Sequence, residues 1–186
     1  KNTLVNLQYA HTEVLGGTLD AQLYYRDYFT RFTPFDARGV ATRGRNVDQV
    51  MQNSEVLGSR ITLRTPIGAA DTELLWGGDF NQERSDMPID IFDPRAFDAS
   101  GGTVFNKIGK LTYMPDLTSR SVGAFAQLQH RFTEQWSMEG GVRYEYATAE
   151  YGDFVPLSES TATNPATVEG GKVHYDAVLS NISLTY

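Results

Sequence analysis

The chain has 186 residues, a net charge of −7 and no cysteine. This length suits one domain, the acidic balance argues against a nucleic-acid partner, and the missing thiols exclude a disulfide framework or a thiolate metal site. Hydrophobic residues make up 40%, and no run approaches the roughly 18 apolar residues of a membrane helix. Helical spanning is therefore excluded, but barrel spanning is not, because barrel strands are only half apolar.

The first predicted strand, residues 3–10, places Val5, Leu7 and Tyr9 on one face and Asn6 and Gln8 on the other. Leu15-Gly16-Gly17-Thr18 is a tight-turn signal. A second strand over residues 18–30 alternates Leu19, Ala21, Leu23 and Tyr25 with Asp20, Gln22, Tyr24 and Arg26. Residues 32–51 are polar, with Pro34, Gly39 and Gly44, and read as a long loop. The third strand, residues 56–65, sets Leu57, Ile61 and Leu63 against Arg60, Thr62 and Arg64. After a short connection at 66–71, the fourth strand over 72–83 opposes Leu74, Trp76 and Phe80 to Glu73, Asp79, Asn81 and Glu83. Residues 84–117 read as a second long loop.

Residues 121–151 then form a hairpin of two long arms around Thr133-Glu134-Gln135. Val122, Ala124, Ala126, Leu128 and Phe132 share one phase with Trp136, Met138, Val142, Tyr144 and Tyr146. Gln127, Gln129, Arg131, Glu139, Arg143 and Glu145 take the other. Each arm exceeds the five or six residues of an ordinary soluble strand and matches the ~9–11 residues that cross a bilayer. Aromatics at both ends of the apolar phase form a girdle pattern. A third loop, residues 152–171, precedes a seventh strand in which Ile182, Leu184 and Tyr186 oppose Asn181, Ser183 and Thr185.

Connections therefore alternate short and long, as in outer-membrane barrels with short periplasmic turns and long extracellular loops. Seven strands form an open sheet, and lipid does not tolerate unpaired edges. The expected fold is all-β: an antiparallel up-and-down transmembrane β-barrel segment, part of a larger barrel. Both termini fall inside strand patterns, so residues 1–186 read as a fragment.

The hairpin residues resemble a known family. Ser121-Val122-Gly123-Ala124-Phe125-Ala126-Gln127-Leu128-Gln129, followed by Trp136-Ser137-Met138-Glu139-Gly140-Gly141-Val142-Arg143-Tyr144-Glu145, look like the mid-barrel of TonB-dependent ferric-siderophore receptors. Leu75-Trp76-Gly77-Gly78-Asp79-Phe80 resembles the preceding strand. The loop carrying Asp93-Pro94, Phe97-Asp98, Gly101-Gly102, Phe105 and Met114-Pro115 is similar to hydroxamate-type receptors, including those for aerobactin-like ligands. The resemblance implies a barrel of about 22 strands in the bacterial outer membrane, filled by an N-terminal plug. It also implies a periplasmic energy transducer that acts through the plug, and a ferric siderophore as transported ligand rather than cofactor. Plug and transducer box are not in this sequence.

No enzyme signature emerges. His11, His130 and His174 lack paired metal spacing, and neither G-x-S-x-G nor a P-loop occurs. Asp86, Asp90, Asp93 and Asp98 read as a solvated extracellular face without EF-hand spacing. Arg60, Arg64, Glu139, Arg143 and Glu145 fall on the lumen phase; in a receptor they would face the plug, in a passive porin-like barrel water. A compact anionic ferric complex calls for cationic donors and aromatic walls near the outer mouth. Tyr28, Arg31, Arg43, Arg84, Tyr113, Arg120 and Tyr151 are the candidates there. Competing readings are a passive or structural barrel segment, an outer-membrane enzyme and a soluble β-sandwich binding module.

Overall fold

A computed structural model describes residues 1–40, 45–68, 71–159 and 164–186. The strands are β1 (Asn2–Val14), β2 (Gly17–Arg31), β3 (Phe35–Asp36), β4 (Val47–Pro66), β5 (Thr72–Phe92), β6 (Lys107–Arg131), β7 (Ser137–Tyr151) and β8 (Gly171–Thr185). A short helix, α1 (Pro94–Ala99), lies between β5 and β6. All pairings are antiparallel and run in sequence order as β1-β2-β4-β5-β6-β7-β8, with the two-residue β3 on β4. This is the meander of seven long strands that the alternation predicts, plus one short strand.

The turns follow from local chemistry. Leu15 and Gly16 both have positive φ (51° and 76°) between the paired Val14 and Gly17. Two consecutive left-handed residues give the hairpin a twist that matches its strands. A Cβ on Gly17 would collide with the Arg64 carbonyl oxygen, so β2 begins where only glycine fits.

Parts of two predicted loops are strand. The predicted loop at 32–51 contains β3 and the start of β4, and the one at 84–117 contains the end of β5 and the start of β6. Pro88 and Pro115 hide this continuation in the sequence, because proline cannot donate to a ladder. Here Pro88 lies at register shifts between Ser85 and Pro88. Bulges of this kind leave a residue unpaired and bend the strand. The result is an arm standing beyond the wall, made of β3, the adjoining ends of β4, β5 and β6, and α1. Its apolar cluster of Val50, Ile89, Ile91 and Leu157, with Met87 and Leu111 against it, is the hydrophobic core of the described residues. Leu157 comes from the β7–β8 connection, so that loop folds back onto the arm.

The wall itself has two unlike faces. Paired residues of antiparallel strands share a face, so the ladders sort every side chain. One face carries Leu7, Leu23, Phe80, Val122 and Tyr146 in one row and Tyr9, Ile61, Tyr144 and Val178 in the next. Apart from the half-buried Phe80 these side chains are exposed; Ile61 is 50% and Val178 68% accessible. Among the described residues no second layer covers them, as expected for a surface that lipid solvates.

The apolar band crosses the sheet obliquely. Its upper border runs through Tyr25 and Leu57 on β2 and β4, drops one ladder row to Phe80, Val122 and Tyr146, and a further row to Val178 on β8. Its lower border slides equally, from Leu19 through Leu74 and Leu128 to Met138 and Leu184. Two rows are about 14 Å of strand, and the sheet spacings from β2 to β8 sum to about 24 Å. A flat boundary meeting these strands implies a tilt of about 30°, close to that of membrane barrels. Below the band, Trp136 packs at a tilt against Tyr186 (centroids 4.8 Å) and His130 edge-on against Phe132 (4.6 Å).

Candidate functional site

The opposite face is polar, and contacts between alternate strands identify it as the inner one. Tyr24 on β2 reaches Asn81 on β5, its hydroxyl 3.0 Å from Oδ1. Arg60 on β4 lies over the Phe125 ring on β6, 5.3 Å from the centroid. Arg143 on β7 donates to both oxygens of Asp79 on β5, at 2.7 and 2.9 Å. Each contact passes over an intervening strand. Gly58 lies beneath the Tyr24 ring and Gly123 beneath the Arg143 guanidinium, and a Cβ at either would overlap the side chain above it. Glycine in a strand often marks such a close approach.

Arg60, Arg64, Glu139, Arg143 and Glu145 all stand on this face by register. Several are already satisfied within the wall. Arg143 also donates to Glu145 at 3.2 Å, and Arg64 lies 3.3 Å from Glu73. A bidentate carboxylate pair is among the stronger hydrogen-bonded arrangements available to arginine. The alternation assigned these residues to one side, but their pairing required knowing which strands face one another across a glycine.

Towards the outer end, Tyr28 and Tyr151 occupy the same inner row, with Ser54, Ser85 and Leu117 between them. Four sheet spacings, about 19 Å, separate the two rings' strands, so they flank a shallow trough rather than touch. Ser54 donates to Glu83 at 3.0 Å within it.

The remaining predicted ligand residues do not join them. Arg31, Arg84 and Arg120 alternate onto the outer face, because each is an odd number of residues from an inward neighbour on its strand. Arg31 lies over Phe29 (5.8 Å) and Arg120 donates to Gln82 (2.8 Å). The sequence located them at loop ends but could not give their phase once the strands extended past the predicted loops. Tyr113 is 55% exposed and lies where the β5–β6 register shifts. Arg43 lies outside the described residues.

The arm holds a cluster that the sequence did not single out. Arg38 donates through Nε and Nη2 to Asp36 (2.9 and 2.7 Å), and through Nη1 and Nη2 to Asp98 of α1 (both 2.8 Å). Its guanidinium also lies 5.7 Å from the Phe97 ring centroid. These hydrogen bonds hold the Asp36 carboxyl down at about 2 and lower that of Asp98, while both acids raise Arg38. The other loop acids are also engaged. Asp93 caps α1 by accepting from the Arg95 amide (2.9 Å), Asp90 meets Lys107 (2.6 Å), and Asp86 accepts from Asn53 (2.9 Å). They are thus spread over separate structural tasks instead of forming one solvated face. Among the described residues no group of three or more His, Asp or Glu is arranged to hold a metal.

Comparison with known proteins fits this geometry. The family described as TonB dependent receptor-like, beta-barrel matches residues 1–186. The rhizobactin receptor of Rhizobium meliloti (strain 1021) is 31% identical over 193 residues, covering 100% of this chain and 26% of that protein. The ferric aerobactin receptor of Klebsiella pneumoniae is 30% identical over 188 residues, covering 97% of this chain and 25% of that protein. The chain thus spans about a quarter of the length of these relatives. Among solved structures, the copper transporter OprC aligns with a TM-score of 0.72 at 14% identity, over 98% of this chain and 27% of that one. The siderophore receptor PiuA from Acinetobacter baumannii aligns at 0.63 with 17% identity, over 100% of this chain and 30% of that one. At such identities the two structures establish the shared fold alone. An antiparallel wall with a lipid face, a polar inner face and a tall outer arm, matched along its whole length, belongs to the β-barrel of the TonB-dependent receptors.

Proposed function

We propose that residues 1–186 form a wall segment of a bacterial outer-membrane receptor that binds a ferric siderophore at its outer mouth and imports it. The observation that carries this reading is the alignment of the whole chain with receptors named for rhizobactin and for ferric aerobactin. The inner wall supports it. Tyr28 and Tyr151 give aromatic surfaces at the mouth, with hydroxyl-bearing residues between them. Such a mixture of flat apolar faces and hydrogen-bonding groups suits a compact, oxygen-rich chelate. In this reading the lumen of the full barrel is filled by a plug from the same polypeptide. A periplasmic transducer supplies energy by moving that plug, and the wall segment provides part of the rigid frame.

The test uses the full-length receptor in an iron-starved host deleted for its other siderophore receptors. Uptake of radiolabelled ferric aerobactin and ferric rhizobactin is measured with and without collapse of the proton gradient. The proposal predicts gradient-dependent uptake of at least one of them. It also predicts weaker binding in Tyr28→Ala and Tyr151→Ala, with Arg84→Ala and Arg120→Ala unchanged. Gradient-independent permeation of unrelated small solutes would favour a passive barrel instead.

A further inference from the structure

The inward arginines of the long strands are not equivalent. Arg60 lies over Phe125, Arg64 meets Glu73, and Arg143 is held by Asp79 and Glu145. Arg131 ends β6 at the short-turn side, far from the mouth. Arg26 of β2 stands in the inner row of Val56 and Glu83, one row below Tyr28. It is exposed, and among the described residues its guanidinium has no hydrogen bond, ion pair or ring contact. β2 is paired on both sides, so this is not the open edge of the sheet.

The side chains around Arg26 are either apolar or already engaged. Its paired neighbours on this face are Leu4 and Val56. Tyr24 gives its hydroxyl to Asn81, and Glu83 accepts from Ser54. Glu83 also lies two sheet spacings away, about 10 Å, beyond ion-pair reach. Arg60, Arg64 and Arg143 tie strands to one another, whereas Arg26 ties nothing. Its charge is therefore available to whatever enters the mouth. A guanidinium presents a planar fork of donors that matches the two oxygens of a carboxylate. Beside it Ser54, Ser85 and Ser119 keep the floor of the trough low. Glu83 over the middle repels an anion, so the trough is positive on the β2 side and negative over β5.

We infer that Arg26 selects the ligand's charge: it takes a free carboxylate of the ferric chelate, one not bound to iron, and seats the chelate on the β2 side of the trough between Tyr28 and Tyr151. The inference rests on the siderophore reading above and adds a substrate class to it, namely chelates that keep an anionic carboxylate. The outward Arg84 and Arg120 do not serve this purpose, because their phase turns them away from the trough.

The experiment measures Kd by fluorescence quenching in the purified full-length receptor. The probes are ferric aerobactin, ferric rhizobactin and derivatives of each with the free carboxylates methyl-esterified. Wild type is compared with Arg26→Gln and Arg26→Lys, and heat-modifiable migration in gels verifies that each variant is folded. For a chelate that wild type binds, Arg26→Gln should raise Kd at least about ten-fold, as expected for losing hydrogen bonds to a charged group. Arg26→Lys should recover part of that loss. Esterification should weaken binding to wild type by a similar factor and matter little in Arg26→Gln. Unchanged affinity in Arg26→Gln, with binding still weakened by Tyr28→Ala and Tyr151→Ala, would overturn the role of Arg26 and leave the siderophore reading standing. Equal losses for the acid and its ester, without recovery by lysine, would show that Arg26 acts through shape and overturn the charge selection. A lowered unfolding midpoint with unchanged Kd would place the partner of Arg26 within the protein and also overturn it. Failure of wild type to bind either chelate would overturn both readings.

Discussion

Replacing Gly123 with alanine tests how the inner wall is held together. A Cβ there would lie 2.6 Å from Cζ of Arg143. The guanidinium ends a flexible side chain, so the clash itself is relieved by swinging Arg143 aside. The cost comes from what that movement breaks, namely the two hydrogen bonds to Asp79 at 2.7 and 2.9 Å. Hydrogen bonds to charged groups contribute about 1.5–3 kcal/mol when buried. The Arg143 and Asp79 side chains are 30 and 26% exposed, which discounts the pair to about 1–3 kcal/mol in total. Asp79→Ala removes the same interaction from the other end. The double variant Gly123→Ala/Asp79→Ala should therefore cost little more than either single change, a coupling of at least about 1 kcal/mol. The assay is urea unfolding of the full-length receptor in lipid vesicles, followed by tryptophan fluorescence. Strict additivity of the two single effects would show that Gly123 does not act through the Arg143–Asp79 pair.

Three further outcomes follow from the same geometry. Asp36 has its carboxyl lowered to about 2 by Arg38; a lowered folded value contributes stability above the unfolded value of about 3.9, lost as pH falls through about 2. Hydrogen exchange at residues 35–40 should thus be slow at pH 5 after correction for intrinsic rates and accelerate below about pH 3, and Arg38→Gln should remove that dependence. Val142→Arg on the lipid face should destabilise the barrel by about 2–4 kcal/mol, whereas Gln127→Arg on the inner face should change unfolding little. Leu157 is 9% exposed in the arm cluster, and Leu157→Ala should raise exchange along 153–159 through the cavity it leaves, without altering exchange in β7.

The wall was legible because its physics is repetitive. A period of two, kept over Val122–Leu128 and Met138–Tyr146, carries both strand identity and the choice of face. The arm was not legible, because Pro88, Pro115 and the scattered acids Asp86, Asp90, Asp93 and Asp98 imitate a loop. Only the long-range packing of Val50, Ile89 and Leu157 makes those segments strands. The same error misplaced Arg84 and Arg120. Once β5 and β6 continue upward, phase decides their direction, and phase puts them outside. The Arg38 clamp joins residues 60 apart in sequence, beyond the reach of any local pattern.

The central claim is that even-numbered residues of β7 from Met138 to Tyr146 face lipid and odd-numbered ones the lumen. Nitroxide labels at each position from 138 to 150 of the full-length receptor in bilayers would test it, reading collision rates with oxygen and with a water-soluble nickel chelate. The account predicts oxygen maxima at 138, 142, 144 and 146, with a period of two, and minima at 139, 143 and 145. Maxima on the odd positions, or no period, would contradict it.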